Sequence, residues 1–263
     1  MCTAVIVRRA GPPAELVVAA NRDEFVRRPA IGPTVLLEQP RAVGGLDLEA
    51  RGSWFGVTAG GLLALLTNQP EGDGRPHPGR RSRGEIVMGV LERGGRDAAR
   101  AWLSQLDGCL YNSFNLLFGD AEVAEVAYGR SDRQELEFEP VPYGLSVLPN
   151  ARLNQPDHLK IARARALVEP AIDAAWPELR RTLAAALADH QRVTLESLPE
   201  PAPGARFPRE MIRELTALCI HTPEYGTRSA SIVRMQAGNV ELAYADGPAC
   251  VTEFRDAAGM LSG

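Results

Sequence analysis

The second residue of the chain is a cysteine, and its place makes it a candidate nucleophile. Cysteine is small enough for the initiator methionine ahead of it to be removed, so the mature chain is expected to carry a free α-amine on the same residue as the thiol. A thiol of pKa near 8.5 attacks poorly until it is deprotonated, and an α-amine of pKa about 7.7–8.0 is one of the few bases matched to neutral pH. Cys2 thus unites a nucleophile with its base. A cysteine after methionine carries little weight alone, so other residues must join it. Asn21, Arg22 and Asp23 close a β-rich run that would lie beside the run starting at Cys2. There the Asp23 carboxylate could hold an ammonium or orient the thiol. Asn68 and Asn150 each follow an apolar strand-like run and would supply oxyanion donors. Arg228 opens another such run, where a cation could brace Asp23 or a thiolate. Each also has a plainer reading: a turn-forming Asn, a turn-capping Asp, a solvated edge Arg.

The other chemistry-bearing residues give weaker signals. Cys109, Cys219 and Cys250 have no CxxC or CxxCH spacing, so no zinc, redox or haem-attachment motif is expected, and their apolar neighbours mark them as small buried hydrophobes. No metal or cofactor is therefore expected. Of the histidines, His158 reads as a capping or surface residue, and His77 sits in a loop that could cover a pocket. Phe25, Trp54, Phe55 and Tyr143 are candidate walls of an apolar pocket, although aromatic residues near strands are more often core. Arg80, Arg81 and Arg83 precede a helix and could receive a carboxylate or phosphate, with a solvated loop as the alternative.

The elements that must position these groups follow from hydrophobic periodicity. Residues 2–8 and 16–21 are rich in β-branched side chains and flank Gly11-Pro12-Pro13, which predicts a hairpin whose first strand begins at the chain start. A polar loop is expected over 22–34, then a strand pair over 52–58 and 62–67. The Pro, Gly and Arg content of 71–81 predicts an exposed loop, ended by Ser82 as a helix cap. Two amphipathic helices follow, with Ile86, Val87, Val90 and Leu91 in the first and Ala98, Ala101, Trp102 and Leu106 in the second. Strands are expected at 112–118, 123–128 and 135–138, a long helical region at 157–179 continuing over 183–187, and a Pro-rich linker at 198–208. Strands at 227–235, 240–245 and 250–254 close the chain. Strands, helices, strands, helices, strands is an order that two sheets between helical layers satisfy.

Composition narrows the functions available. With 263 residues and 45% hydrophobic content the chain can bury one large core, so a single domain over 1–263 is expected. A net charge of −4 argues against a general nucleic-acid or anionic-membrane surface. The apolar runs are too short for a transmembrane segment. The start of the chain lacks the basic-then-apolar order of a secretory signal, so a cytoplasmic protein is expected.

The blocks MCTAVIV, AANRDEF, RGSWFGVTAGG, LLTN, RSRGE, YNSFNLLFGD, GLSVLPN and GTRSAS occur in order from residue 1 to about 234, and together they resemble the NRDE family, also called transport-and-Golgi-organisation. That family is similar to N-terminal-nucleophile hydrolases. The resemblance implies an α+β fold, a four-layer αββα sandwich of antiparallel sheets. More distantly the chain resembles choloylglycine hydrolases and penicillin V acylases, which cleave amides through a processed N-terminal Cys. The resemblance implies Cys2 as nucleophile, Asp23 as the Asp of their Arg-Asn-x-Asp block, Asn21 as its Asn, Asn68 and Asn150 as oxyanion residues and Arg228 as an active-site Arg. Ala20 stands where those amidases place Arg, and Arg22 shares its strand face. Two functions are open: an amidohydrolase acting on a small acyl amide or thioester through a Cys2 acyl-enzyme, and a non-catalytic haem or lipid/acyl-CoA binding and trafficking protein. The expected partner is accordingly a small acyl substrate or a lipid or haem ligand.

Overall fold

Leu16, Val18 and Ala20 point one way from their strand, and Val17 and Ala19 point the other; each set is buried in a different core. A strand covered on both faces has no polar side, so its sequence reads as a continuous apolar run rather than an alternation. The computed structural model describes residues 2–71, 75–201 and 205–262. Met1, positions 72–74 of the expected loop and 202–204 of the expected linker lie outside the described residues.

In chain order the elements are β1 (Thr3–Arg9), β2 (Glu15–Phe25), β3 (Ala30–Glu38), β4 (Arg41–Asp47), β5 (Phe55–Thr58) and β6 (Leu63–Asn68), then α1 (Gly84–Glu92) and α2 (Arg96–Leu103). There follow β7 (Phe114–Gly119), β8 (Ala124–Gly129), β9 (Glu137–Pro140) and β10 (Gly144–Leu148), then α3 (Leu159–Val168), α4 (Trp176–Leu187) and α5 (Arg209–Glu214). β11 (Tyr225–Gln236), β12 (Asn239–Ala245) and β13 (Arg255–Asp256) end the series. The strands form two antiparallel sheets, in the orders β10-β1-β2-β11-β12-β13 and β3-β4-β5-β6-β7-β8-β9.

Three cores make the layers. Ala4, Ile6, Leu16 and Val18 of the first sheet meet Val57, Leu63, Leu65 and Leu117 of the second. The opposite face of the first sheet packs Val5, Val7 and Val17 on Ile161, Ala164, Leu179 and Leu183 of α3 and α4. The outer face of the second sheet packs Ala64, Leu116 and Phe118 on Ile86, Val90, Leu91 and Leu103 of α1 and α2. This is the four-layer αββα arrangement. Each fully buried Val, Ile or Leu contributes roughly 1.5–3 kcal/mol, so both faces of β1 and β2 are strongly fixed.

The structure differs from the sequence expectation in three places. The expected loop at 22–34 is largely strand: β2 runs to Phe25, and β3 begins at Ala30. Pro33 disguised β3, but this strand lies at the sheet edge and has irregular register between Ile31 and Thr34, where a missing N–H is tolerated. The helical region expected at 157–179 is divided, because Pro170 follows the end of α3 and Pro177 sits in the first turn of α4. The strand expected at 250–254 is replaced by a turn, and pairing resumes only at Arg255–Asp256.

Candidate active site

Register brings Cys2 to the middle of the first sheet. Thr3 lies opposite Asn21 in the β1–β2 pair, and the antiparallel step before it sets Cys2 level with Arg22. Because Ala4 and Ala20 face the space between the sheets, Cys2 and Arg22 continue that face. Both line a cavity of about 310 Å³, together with Asp23, Trp54, Asn68 and Arg83. Arg22 is buried, with its guanidinium 4.2 Å from the Trp54 ring and 3.4 Å from an Asp47 oxygen. Asp47 also holds Arg28 at 2.7 Å, which in turn lies 3.7 Å from Glu24. Arg22 therefore occupies the same strand face as Ala20, one residue pair closer to the cleft.

Asp23 takes the other side of β2. Its carboxylate is fully buried, accepts from Thr227 Oγ1 at 2.7 Å and lies 3.5 Å from Lys160 Nζ on α3. Tyr225 OH donates to its carbonyl at 2.8 Å. Lys160 is itself buried. No local motif marks Lys160 as a site residue, and its one signal in the sequence is that it is the only lysine in a chain that otherwise uses arginine. A compact ammonium fits a buried one-to-one pair where the wider guanidinium needs more partners.

Arg228 does not brace Asp23. In the β2–β11 pair Thr227 lies opposite Asp23 and Ser229 opposite Arg22, so Arg228 is the extra residue of a β-bulge. The bulge turns Arg228 to the surface, and it lines a small cavity of about 30 Å³ with Arg22, Trp54 and Asp246 that does not include Cys2.

Burial pushes the Cys2 thiol up from its ordinary value. The positive chain terminus opposes that shift, the Asp23 charge adds to it, and the Asp23 backbone N–H and the Arg22 charge favour the thiolate. The resting group is therefore a thiol that must be deprotonated when it reacts. Arg83 is pulled down to about 10 by burial, with the Glu24 charge opposing and Arg28 reinforcing the change. Its Nη1 donates to the Ser113 carbonyl at 3.1 Å, and among the described residues no carboxylate lies within ion-pair distance of it.

The remaining expected residues divide. Asn68 ends β6 and lines both the Cys2 cleft and an adjoining hollow of about 420 Å³. Asn150 Nδ2 donates to the Asn68 carbonyl at 2.6 Å, so Asn150 fixes the backbone that carries Asn68. Asn21 faces the helical layer, donating to the carbonyls of Leu187 at 2.9 Å and Leu218 at 2.8 Å. Phe25 lines the adjoining hollow, edge-on to Tyr225. Trp54 lines the cleft itself, whereas Phe55 is core and meets Cys2 only across a crevice of about 10 Å³. Arg81 lines the cleft and pairs with Glu85 at 2.6 Å. Tyr143 is exposed beneath Arg8, at the far end of β1.

The model of the family described as Transport and Golgi organisation 2 matches residues 1–246. The chain is 33% identical over 235 residues to the bovine Transport and Golgi organization protein 2 homolog, and 32% identical to the human one. Each alignment covers 84% of this chain and 82% of the relative. Among solved structures, the Caenorhabditis elegans ortholog of N-acylethanolamine-hydrolyzing acid amidase superposes with a TM-score of 0.51 at 11% identity, over 88% of this chain and 92% of that one. A conjugated bile acid hydrolase from Clostridium perfringens, in its C2A mutant form, gives a TM-score of 0.49 at 10% identity, over 98% of this chain and 96% of that one. The fold is that of the N-terminal-nucleophile hydrolases.

Proposed function

The chain belongs to the Transport and Golgi organisation 2 family, and we propose that this member is a cysteine N-terminal-nucleophile amidohydrolase acting on a small acyl amide or thioester. The observation that carries the reading is the shared cleft of Cys2, Arg22 and Asn68, with Asp23 anchored immediately behind by Lys160 and Thr227. Removal of Met1 frees the Cys2 amine, which takes the thiol proton as sulfur attacks the substrate carbonyl. The new S–C bond leaves negative charge on the carbonyl oxygen, and Asn68, held by Asn150, supplies the donor that stabilises it. The C–N bond then breaks, the leaving amine collects the proton from the Cys2 amine, and a thioester remains on Cys2. Water enters by the same route in reverse and releases the acid. Burial, which holds the Cys2 thiol protonated in the chain that still carries Met1, suits this sequence, because attack then needs the base that the freed amine would provide. The hydrolysis of N-acylethanolamines by the structural neighbour makes fatty acyl amides the first panel to test. The adjoining hollow offers Phe25, Phe207, Ile212 and Tyr225 to an apolar acyl chain, and Arg83 to an anionic end.

The test compares wild type with Cys2→Ser and Cys2→Ala on a panel of acyl amides and thioesters, with intact-mass spectrometry during turnover. The expected result is an acyl adduct on wild-type Cys2, strongly reduced turnover in the serine variant and none in the alanine variant, with unchanged ligand affinity. Equal binding by all three proteins, without adduct or turnover, would leave a lipid or haem carrier on a hydrolase fold.

A further inference from the structure

A second constellation lies on the opposite side of β2 from the Cys2 cleft. His190 follows α4, Cys219 and His221 lead into β11, and Cys250 follows β12, so four ligand-type side chains arrive from three separate segments. One donor atom from each lies within 4.8 Å of all the others. The sulfurs of Cys219 and Cys250 are 3.8 Å apart, His221 Nε2 is 3.6 Å from the Cys219 sulfur, and the same nitrogen is 3.1 Å from the Cys250 sulfur. A tetrahedral zinc site with Zn–S of about 2.3 Å and Zn–N of about 2.0 Å has edges of about 3.8 Å between sulfurs and about 3.6 Å between sulfur and nitrogen. Two of the three distances match those edges, and the third needs the imidazole to move by about half an ångström. We infer that His190, Cys219, His221 and Cys250 form a Cys₂His₂ site for a zinc-like divalent cation.

The surroundings fit a ligand set rather than a chance cluster. His190 Nδ1 lies 3.2 Å from the Cys219 carbonyl, and a proton donated there leaves Nε2 bare for the ion, the usual way a ligating histidine has its tautomer fixed. Cys219 is buried, and its N–H donates to the Asp189 carbonyl at 2.8 Å. Asp189 is gripped in turn by Arg163 at 2.9 Å. The Cys219–His221 segment approaches β11 closely: a Cβ on Gly226 would stand 2.6 Å from the Ile220 carbonyl oxygen, so glycine is required there. Four protein ligands leave no open position, which assigns the ion a structural role.

That role reaches Asp23. The Ile220 N–H donates to Thr227 Oγ1 at 2.9 Å, the same hydroxyl that donates to Asp23, and Asn21 is tied to the Leu218 carbonyl. A closed site at Cys219 and His221 would stiffen both tethers. Binding converts two thiols to thiolates and releases their protons, so the affinity falls in acid.

Untagged protein from zinc-supplemented cells should contain one zinc per chain by elemental analysis. Replacement by cobalt should give the intense ligand-field absorption of tetrahedral cobalt and a sulfur-to-metal charge-transfer band. Cys219→Ser and Cys250→Ser should each weaken that band, and His190→Gln, a change at an exposed ring, should weaken zinc binding at least about tenfold while the fold is retained by circular dichroism. Chelation should lower the Tm and zinc should restore it. Metal-free protein that gives no tetrahedral cobalt spectrum would overturn the inference. So would a spectrum untouched by all these substitutions, or a metal-free chain two hydrogens lighter in which peptide mapping places the disulfide between Cys219 and Cys250.

Discussion

Neighbouring residues of β2 enter two different environments. Arg22 and Glu24 face the cleft, where arginines and carboxylates are in mutual contact and a cavity is open to a ligand. Asn21 and Asp23 face the helical layer, where each polar side chain is enclosed and held: Asn21 by two backbone carbonyls, Asp23 by Thr227 and Lys160. The strand is thus a wall with a working side and an anchored side. Precision at Cys2 comes from the anchored side, because the Asp23 backbone that approaches the thiol is fixed through the Asp23 side chain. Positioning groups built on packed strands hold their geometry better than loops do.

The two sides respond differently to substitution. The largest effect is expected on the working side: Cys2→Ala should lower turnover by a factor on the order of 10⁴ or more while leaving the denaturation midpoint close to wild type, measured by steady-state assay and urea titration. A matching fall in stability would mean that the wall has no such division of labour. On the anchored side, Lys160→Met should strand the Asp23 charge in the interior and destabilise the fold by about 3–5 kcal/mol in urea unfolding. Adding Asp23→Asn should recover part of that loss, since the two residues are coupled. Unaltered stability in the single variant would show that the pair is not buried as described.

Smaller changes sharpen the comparison. Thr227→Val removes the hydroxyl shared by Asp23 and Ile220 and should cost about 1–3 kcal/mol in the same titration. Alkylation of Cys2 by iodoacetamide should speed up about tenfold per pH unit and continue to rise past pH 9, because burial keeps the thiol protonated in the resting protein. A rate that levels off near neutral pH would point to a preformed thiolate. The smallest effect belongs to Arg228→Ala, expected to change stability by less than about 0.5 kcal/mol and to leave kcat/KM unaltered, since the bulge has moved this residue off the wall. A large loss of kcat/KM would return Arg228 to the active site.

Much of this was readable in the chain. The β-branched runs at 2–8 and 16–21 marked the first hairpin, and the position of Cys2 with the Asn21-Arg22-Asp23 block marked candidate residues of which the fold brings Cys2, Arg22 and Asp23 to one cleft. Period-two alternation also set Arg22 on the face of Ala20. The β3–β4 hairpin was hidden, because an edge strand accepts a proline that a local reading takes as a loop signal. Arg228 was read as if β11 kept perfect register, and a bulge is a one-residue event without a reliable sequence mark.

By itself the sequence determined most of the strands and helices, the faces of the side chains on β1 and β2, and a candidate nucleophile in Cys2, because periodicity and residue type are local properties. Only the tertiary structure decided the partners. Lys160 stands 137 residues from Asp23. His190, Cys219, His221 and Cys250 converge from segments that share no ligand spacing. Such pairings depend on how α3 and α4 lie on the first sheet and where β11 bulges against β2, and those are set by the packing of whole layers, to which distant parts of the chain contribute together.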